Sequence, residues 1–204
     1  MWGGASVLIG HRRAESSQRP QTRAHRRVST DTCPCNSNCG EISGGCDAGG
    51  AQDLWLSGDL AQHAGMPMIA VWHSPRWTCS VDGHTSDPSM QNFWARLYDA
   101  HADFVFNGHN HFYQRYKPLN KAASATLDQA AGITEMVVGS GGVSTYQVCS
   151  ASADTLVAKA LGGDASIGIL FLTLGSDGGY SWEYRVKSDG SIFDSGAGRS
   201  HNSK

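Results

Sequence analysis

The sequence contains no long hydrophobic run, no internal repeat and few cysteines. Its longest apolar stretches, such as residues 167–174, have the length of a strand and fall well short of the roughly 20 residues of a membrane-spanning helix. Six cysteines in 204 residues are too few for a small disulfide-held scaffold, and 40% hydrophobic residues are too many for a disordered chain. Length and composition therefore predict one globular domain with its own core.

Charged residues are scarce, at 17% of the chain, and unevenly distributed. Residues 1–31 hold six arginines, no lysine and two acidic residues, whereas the rest of the chain carries 10 basic and 16 acidic residues. This arm has neither helical nor strand periodicity, and no aromatic residues interleave its arginines as a nucleic-acid stacking surface would require. We interpret it as an extension without regular structure. An RNA- or membrane-binding arm is the alternative, which the composition does not favour.

Two strands and the helix between them can be recognised after a first short helix. The first helix is predicted over residues 53–64, and the unbroken apolar run Met68–Trp72 is typical of a buried strand. An apolar stripe over residues 88–102, which includes His101, predicts the second helix. A second apolar run, at residues 104–106, predicts a buried strand over residues 103–106. Strand, helix and strand at this spacing predict a parallel crossover unit.

The remaining pattern predicts three further strands and a loop. A third buried strand is expected over residues 133–138, where a glycine-rich segment stops it. Residues 167–174 and 180–186 predict a hairpin around a turn at residues 176–179, and the second of its strands alternates a buried with a solvent-facing side. Residues 121–131 lack a clear pattern and are expected to form an exposed loop.

Three of the nine histidines directly follow the two strands of the crossover unit. His73 comes after Met68–Trp72, and His109 and His111 come just after the second apolar run. Because the carboxyl ends of parallel strands open on the same edge of a sheet, we expect the three imidazoles to converge. Imidazole suits zinc, iron, manganese or nickel. The pattern therefore favours a metal site over isolated core and loop histidines, which is the alternative for each residue taken singly.

These histidines belong to a longer pattern that resembles a known family. Its strings are Val71-Trp72-His73-Ser74-Pro75-Arg76, then Gly83-His84, then Phe106-Asn107-Gly108-His109-Asn110-His111-Phe112-Tyr113-Gln114-Arg115-Tyr116. In order and spacing they resemble the second half of a calcineurin-like metallophosphoesterase of the purple-acid-phosphatase-like branch, over roughly residues 36–198. The resemblance implies an α/β (α+β layered) fold, a mixed β-sheet with flanking helices, similar to half of the family's four-layer αββα sandwich.

The resemblance also implies a role for each residue of these strings. His73 and His109 would bind one metal and His111 the other. His84 would be the catalytic and substrate-binding histidine that contacts the phosphate or assists the leaving group. Two Fe, Zn or Mn ions would hold a bridging hydroxide that hydrolyses the phosphate ester without a covalent intermediate. The residues that would support the turn are Asn107, Gly108, Tyr113 and Arg115.

The carboxylate ligands of that family's first half are missing from this sequence. Its Asp-x-His spacing occurs only at Asp99-Ala100-His101, within a predicted helix, and Gly58-Asp59 lies in another helix without the further carboxylate or tyrosine. We therefore expect a phosphoesterase whose activity is impaired in this chain, with two metals as in complete relatives, or one or none. A non-catalytic remnant or interaction module of the same fold is the alternative.

The resemblance divides the chain into an Arg/Ser-rich arm (1–35), a phosphoesterase-like domain that lacks its first half (36–198) and a tail (199–204). Relatives are often exported, but the apolar stretch Ala5–Ile9 is shorter than a secretory signal core and precedes the arginines. The sequence therefore does not assign a compartment. The spacing of Cys33, Cys35, Cys39 and Cys46 leaves both a small zinc knot and a Cys39–Cys46 disulfide open.

Half of a sandwich would expose a sheet face that the other half normally covers, so we predict low solubility or self-association of the chain. Size-exclusion chromatography at increasing protein concentration should show a peak that moves toward larger species. A sharp peak of monomer size at every concentration would contradict this prediction.

Overall fold

The computed structural model describes residues 26–29, 47–142 and 144–203, which form three layers. Two α-helices cover one face of a six-stranded mixed sheet, and a three-stranded antiparallel sheet covers the other. This confirms the expected α/β class with a mixed sheet and flanking helices. In the part of the chain that the structure describes, no helix is long and apolar enough to span a bilayer.

The six-stranded sheet is built around the predicted crossover unit. Its strands are β1 (Arg26–Ser29), β2 (Met68–Trp72), β3 (Phe104–Asn107), β4 (Tyr113–Tyr116), β5 (Thr134–Val138) and β6 (Val157–Leu161). They lie in the order β1-β2-β3-β5-β4-β6. The strands β1, β2, β3 and β5 are parallel to one another, and β4 runs antiparallel to both of its neighbours, β5 and β6. The parallel pairing of β2 with β3 confirms the prediction.

The helices α1 (Ala51–Gln62) and α2 (Gln91–Asp99) form one core with the sheet. Asp87 caps the short 3₁₀ helix that leads into α2, because its carboxylate accepts a hydrogen bond from the Ser89 N–H at 3.0 Å. The buried side chains that meet in this core include Leu56 and Leu60 of α1, Phe93, Trp94 and Leu97 of α2, and Met68, Ala70 and Trp72 of β2.

The second core lies between the two sheets. The smaller sheet has the antiparallel order β7 (Gly168–Leu174), β8 (Gly179–Val186) and β9 (Ile192–Arg199), and its first two strands are the predicted hairpin. Because side chains alternate along a strand, Val105 of β3 packs toward the helices while Phe104 and Phe106 pack toward the second sheet. The partners of these phenylalanines in that core include Leu170, Leu172 and Tyr184.

His101 does not belong to the apolar face of α2, contrary to the prediction. The helix ends at Asp99, and His101 is exposed with a left-handed φ of 59°. The His101 N–H donates to the Tyr98 carbonyl at 2.9 Å and the Ala102 N–H to the Leu97 carbonyl at 2.9 Å. These two bonds form the Schellman motif that commonly closes a helix, usually with glycine at the left-handed position. The apolar stripe thus continued past the point where the backbone turns.

One strand comes from the arm that was expected to lack regular structure. Arg26–Ser29 forms β1, in parallel register with β2 from Arg26 opposite Met68 to Ser29 opposite Val71. These four residues include two arginines and show no alternation of apolar and polar side chains, so only the pairing with β2 defines this strand. The rest of residues 1–35 lies outside the described residues. So do all four cysteines for which a zinc knot or a disulfide was considered.

The residues after β9 pack against the first sheet. Ser200 Oγ donates to Asp103 Oδ2 at 2.6 Å, and the His201 N–H donates to Asp103 Oδ1 at 2.9 Å. Asn202 Nδ2 donates to the Met66 carbonyl at 3.0 Å. The predicted tail is therefore bound to the loops at the amino ends of β2 and β3.

Asp194 joins the two sheets through a buried charged contact. Its carboxylate, on β9, accepts hydrogen bonds from the Tyr113 hydroxyl at 2.7 Å and from Arg115 Nε and Nη2 at 2.7 and 3.1 Å, both on β4. Burial on its own would raise the pKa of Asp194, but the bonds and charge of Arg115 and the bond from Tyr113 outweigh it, and the pKa is lowered. The contact holds β4 against β9.

We predict that Asp194→Asn destabilises the fold by about 3 kcal/mol at neutral pH, because it leaves Arg115 without its buried partner. The folded-state pKa of Asp194 is lowered, so its stabilising contribution is present above the unfolded value of about 3.9 and is lost as the pH falls through the folded value. The difference in unfolding free energy between wild type and variant should therefore shrink below about pH 4.

Denaturant unfolding at several pH values measures both effects. Asp99→Asn is the matched control, because Asp99 pairs with Lys121 at 2.5 Å on the surface, where both side chains are about half exposed. An exposed pair contributes less than about 1 kcal/mol. Equal effects of the two substitutions at neutral pH would show that the buried contact does not hold the sheets together.

Candidate metal and phosphate site

Two of the predicted histidines meet at one edge of the six-stranded sheet. Trp72 of β2 lies opposite Asn107 of β3, so the loops that begin at His73 and Gly108 leave the sheet side by side. The Gly108 N–H donates to the His73 carbonyl at 3.0 Å, which ties the two loops together. His73 Nε2 and His109 Nδ1 are 3.3 Å apart. The convergence expected from the parallel strands is observed for this pair.

The turn that carries His109 has a strained, closely packed backbone. His109 has a φ of 59°, the left-handed region that non-glycine residues rarely adopt. A Cβ added to Gly139, which follows β5, would lie 2.0 Å from the carbonyl oxygen of Asn110, so only glycine lets β5 approach the turn. The buried Asn110 side chain donates to Thr78 Oγ1 at 2.6 Å. These contacts fix the turn, and with it the direction of the His109 ring.

His111 is held by contacts outside this pair. Its Nδ1 is 2.7 Å from the carbonyl oxygen of Ser144, and its ring stacks on Tyr146 with centroids 4.2 Å apart. Because a carbonyl only accepts, Nδ1 carries a proton, so in the neutral ring Nε2 is the nitrogen with the lone pair. Over residues 47–142 and 144–203, no three His, Cys, Asp or Glu side chains are grouped closely enough to hold one metal ion. The structure therefore brings together two of the three expected ligands.

The His73–His109 pair fits two corners of a metal site. Two nitrogens that bind one zinc ion at about 2.0–2.1 Å in tetrahedral geometry are about 3.3 Å apart, which matches the observed separation. Burial and then the neighbouring His111 lower the pKa of His73, and burial and then the neighbouring histidines lower that of His109. A lowered pKa favours the neutral ring, which is the state that binds a metal. The described residues do not complete the two-metal centre that the resemblance implied.

His84 reaches the pair through a loop that has no regular structure. Its ring lies edge-on to that of His109, with centroids 5.6 Å apart, and stacks on Tyr146 with centroids 4.3 Å apart. The loop before it is joined to the loop of Tyr146 by a Cys79–Cys149 disulfide and a short antiparallel bridge between Ser80 and Val148. The cysteine spacing in the sequence did not predict this disulfide.

The four supporting residues divide into two groups. Asn107 and Gly108 lie at the site itself, where Asn107 Nδ2 donates to the Trp72 carbonyl at 3.2 Å and Oδ1 is buried with no hydrogen-bond partner among the described residues. Tyr113 and Arg115 contact Asp194 instead. These two side chains therefore support the packing of the sheets on which the turn rests.

Glu135, which was not among the predicted site residues, fixes the loop after His73. This side chain on β5 is fully buried, and its two carboxylate oxygens accept hydrogen bonds from the backbone N–H groups of Arg76 and Trp77 at 2.8 and 2.7 Å. A single charge inside the apolar run of the third strand was the available signal. Tyr146 was missed as well, and its loop offers no comparable pattern.

A cavity of about 350 Å³ lies at the opposite end of β2. It opens between the ends of α1 and α2, where Met68, Arg96 and His101 line it. The Arg96 guanidinium is already bound by the buried Asp53 carboxylate, through Nε and through Nη2 at 2.7 Å. The cavity contains none of the predicted site residues.

Comparison with known sequences finds relatives that match part of the chain. No protein-family model matches the chain. Two uncharacterised proteins of Mycobacterium tuberculosis, one from each of two strains, are 28% identical to it over 115 residues, which cover 48% of this chain and 22% of theirs. The chain therefore spans about a fifth of the curated relatives that it matches.

Two solved structures share the fold. One is the purple acid phosphatase PPD1 from seeds of yellow lupin (Lupinus luteus), with a TM-score of 0.57, 20% identity, and coverage of 78% of this chain and 32% of the phosphatase. The other is GAP50, the anchor in the inner membrane complex of Plasmodium, with a TM-score of 0.53, 14% identity, and coverage of 74% and 42%. At this identity the likeness shows a phosphoesterase-like fold.

We predict that the buried Glu135 makes the fold less stable as the pH rises from about 5 to about 8. Burial raises the pKa of Glu135 to about 8, against the backbone N–H groups of Arg76 and Trp77 and the charge of Arg76. The folded chain therefore keeps a proton that an unfolded glutamic acid releases near pH 4.3, and stability falls by up to about 1.4 kcal/mol per pH unit in that interval.

Glutamine cannot titrate, so Glu135→Gln should remove the pH dependence that Glu135 gives to the unfolding free energy. The unfolding free energy of the variant minus that of wild type should increase steadily between about pH 5 and about pH 8 in denaturant titrations. Glu183→Gln is the control, because Glu183 is a partly exposed residue that pairs with Arg185. A free-energy difference for Glu135→Gln that does not change with pH would refute the prediction.

Proposed function

We propose that this chain is a metal-dependent phosphoesterase, and that hydrolysis is impaired in it because its sequence lacks the carboxylate ligands of complete relatives. The observation that carries the proposal is the His73–His109 pair, whose facing nitrogens are 3.3 Å apart at the carboxyl edge of two parallel strands. The phosphoesterase-like fold supports the same chemistry.

The proposed metal ligands are His73, His109 and His111. His73 and His109 would hold one Fe, Zn or Mn ion through the nitrogens that face each other, and His111 would present Nε2 to a second. A metal bound there supplies positive charge to the phosphate and activates water. The parts of the chain already described orient these donors: Glu135 holds the loop of His73, and the Ser144 carbonyl fixes the tautomer of His111.

His84 is the proposed acid and phosphate-binding residue. Its half-buried ring lies beside that of His109, so an N–H of the imidazolium would donate to a phosphate oxygen next to the histidine pair. Alternatively, that N–H would protonate the departing alkoxide. In this arrangement the histidine pair and His84 act on the substrate from adjacent sides of one site.

A non-catalytic remnant or interaction module is the second candidate. One observation favours it: among residues 47–142 and 144–203, no three metal-binding side chains converge. The fold itself does not decide between the candidates, because it occurs in a phosphatase and in an anchor of the inner membrane complex of Plasmodium. Metal content separates them.

Self-association is proposed as a property of either candidate. Ile169 and Phe171 of β7 and Ile192 of β9 lie on the outer side of the second sheet and are 47%, 43% and 47% exposed. Ile169 and Phe171 are neighbours on one face of β7, and the Arg185–Glu183 pair of β8 separates them from Ile192. Exposed apolar residues on a sheet face favour contact with another molecule. A second copy of the chain is the proposed partner.

Export is proposed from the disulfide. Cys79 and Cys149 are cross-linked across 70 residues of sequence. Disulfides persist in oxidising compartments and are rare in the reducing cytosol. An exported protein would retain this link, which joins the loops of His84 and Tyr146.

We predict that the purified chain, supplied with manganese, zinc or iron, hydrolyses a simple phosphate monoester far more slowly than a complete purple acid phosphatase does. Two metals per chain would favour the enzyme, and one or none would favour the remnant. His109→Ala should lower the metal content, because it removes one of the two facing nitrogens. Elemental analysis of the dialysed protein measures this directly.

His63→Ala provides the control for this prediction. The His63 ring lies at the end of α1, where Nδ1 is 2.8 Å from the Asp59 carbonyl oxygen, and it is not part of the site. Its substitution should leave the metal content unchanged. Turnover at the rate of a complete enzyme that His109→Ala abolishes would refute the claim that activity is impaired.

A further inference from the structure

Tyr146 lies between two of the histidines of the proposed site. Its ring stacks on His84 with centroids 4.3 Å apart and an interplanar angle of 12°, and on His111 with centroids 4.2 Å apart and an angle of 13°. All three rings are partly buried. The proposed phosphate-binding residue and the proposed second metal ligand are therefore linked by one aromatic side chain.

The backbone of Tyr146 is anchored independently of this stack. Its N–H donates to the His111 carbonyl at 3.0 Å, and its carbonyl accepts from the Gly163 N–H at 2.8 Å. Three residues later, Cys149 is cross-linked to Cys79. The ring of Tyr146 is thus presented from a backbone that is tied both to the histidine turn and to the loop leading to His84.

His84, in contrast, lies in a segment without helix or strand, between Asp82 and Asp87. Asp82 is attached to the Tyr146 loop, because its carboxylate accepts a hydrogen bond from the Gln147 N–H. The direction of the His84 ring then depends on contacts of the ring itself. Those contacts include the stacked ring of Tyr146 and the ring of His109, which lies nearly perpendicular to that of His84.

We propose that Tyr146 is a positioning residue that holds His84 beside the His73–His109 pair by stacking between His84 and His111. This inference rests on the proposed function, because it takes His84 as the phosphate-binding group. The flat face of the tyrosine ring supplies the contact, and nearly parallel rings at this distance attract each other. The hydroxyl group has no part in it, so phenylalanine would serve equally well.

The stack is tested first by histidine ring signals in NMR spectra of the full chain. In wild type, the ring protons of His84 and His111 should be displaced upfield by the Tyr146 face. Tyr146→Leu should move both sets of signals toward those of an unstacked imidazole, whereas Tyr146→Phe should leave them in place. Assignment uses His84→Gln and His111→Gln. Unchanged His84 signals in Tyr146→Leu would overturn the inference.

The consequence for binding is tested with inorganic phosphate, titrated calorimetrically into the protein supplied with manganese. Tyr146→Leu should weaken binding about tenfold, the factor expected for losing an aromatic contact. Tyr146→Phe should bind as wild type does. The double variant Tyr146→Leu with His84→Asn should bind no more weakly than His84→Asn alone, because Tyr146 acts only through His84.

Additive losses in the double variant would overturn the inference, since they would show that Tyr146 acts on binding by another route. An equal loss in Tyr146→Phe and Tyr146→Leu would overturn it as well, because the stack survives in the first. If wild type binds no phosphate, the proposed function fails. The NMR signals then still decide whether Tyr146 positions His84.

Discussion

The parallel register of β2 with β3 is the constraint on which the rest of the site depends. Because Trp72 lies opposite Asn107, the next residue of each strand starts a loop at the same edge, and the backbone bond between the loops follows at once. A shift of one residue would turn every side chain of a strand to the opposite face. It would exchange the residues of the two cores and separate the two histidines whose nitrogens now face each other.

The parts of the molecule that local patterns determine could be predicted. Met68–Trp72 and the run that became β3 are apolar because both of their faces are buried, and their order with α2 implied parallel pairing. Strands such as Arg26–Ser29 and Tyr113–Tyr116 are short and rich in polar residues, so only their partners define them. The end of α2 was misplaced because a Schellman motif depends on backbone bonds and here uses histidine in place of glycine.

In the candidate site, too, some positions follow from local patterns and others depend on distant partners. His73 and His109 follow directly from strand ends, so topology alone places them together. The positions of His84, Tyr146 and the Cys79–Cys149 disulfide depend on two loops meeting, which no local spacing encodes. The lone charge of Glu135 in an apolar strand was informative, but its partners are backbone groups nearly sixty residues earlier in the chain.

The left-handed backbone of His109 has a cost in stability. Glycine would adopt this conformation without penalty, whereas a residue with a Cβ costs about 1–2 kcal/mol there. A histidine at such a position lowers the stability of the fold locally. The two cores and the contact of Asp194 with Tyr113 and Arg115 must offset that loss. His101 has the same φ of 59° where it closes α2, so the chain bears this cost at two histidine turns, one directly before β3 and one directly after it.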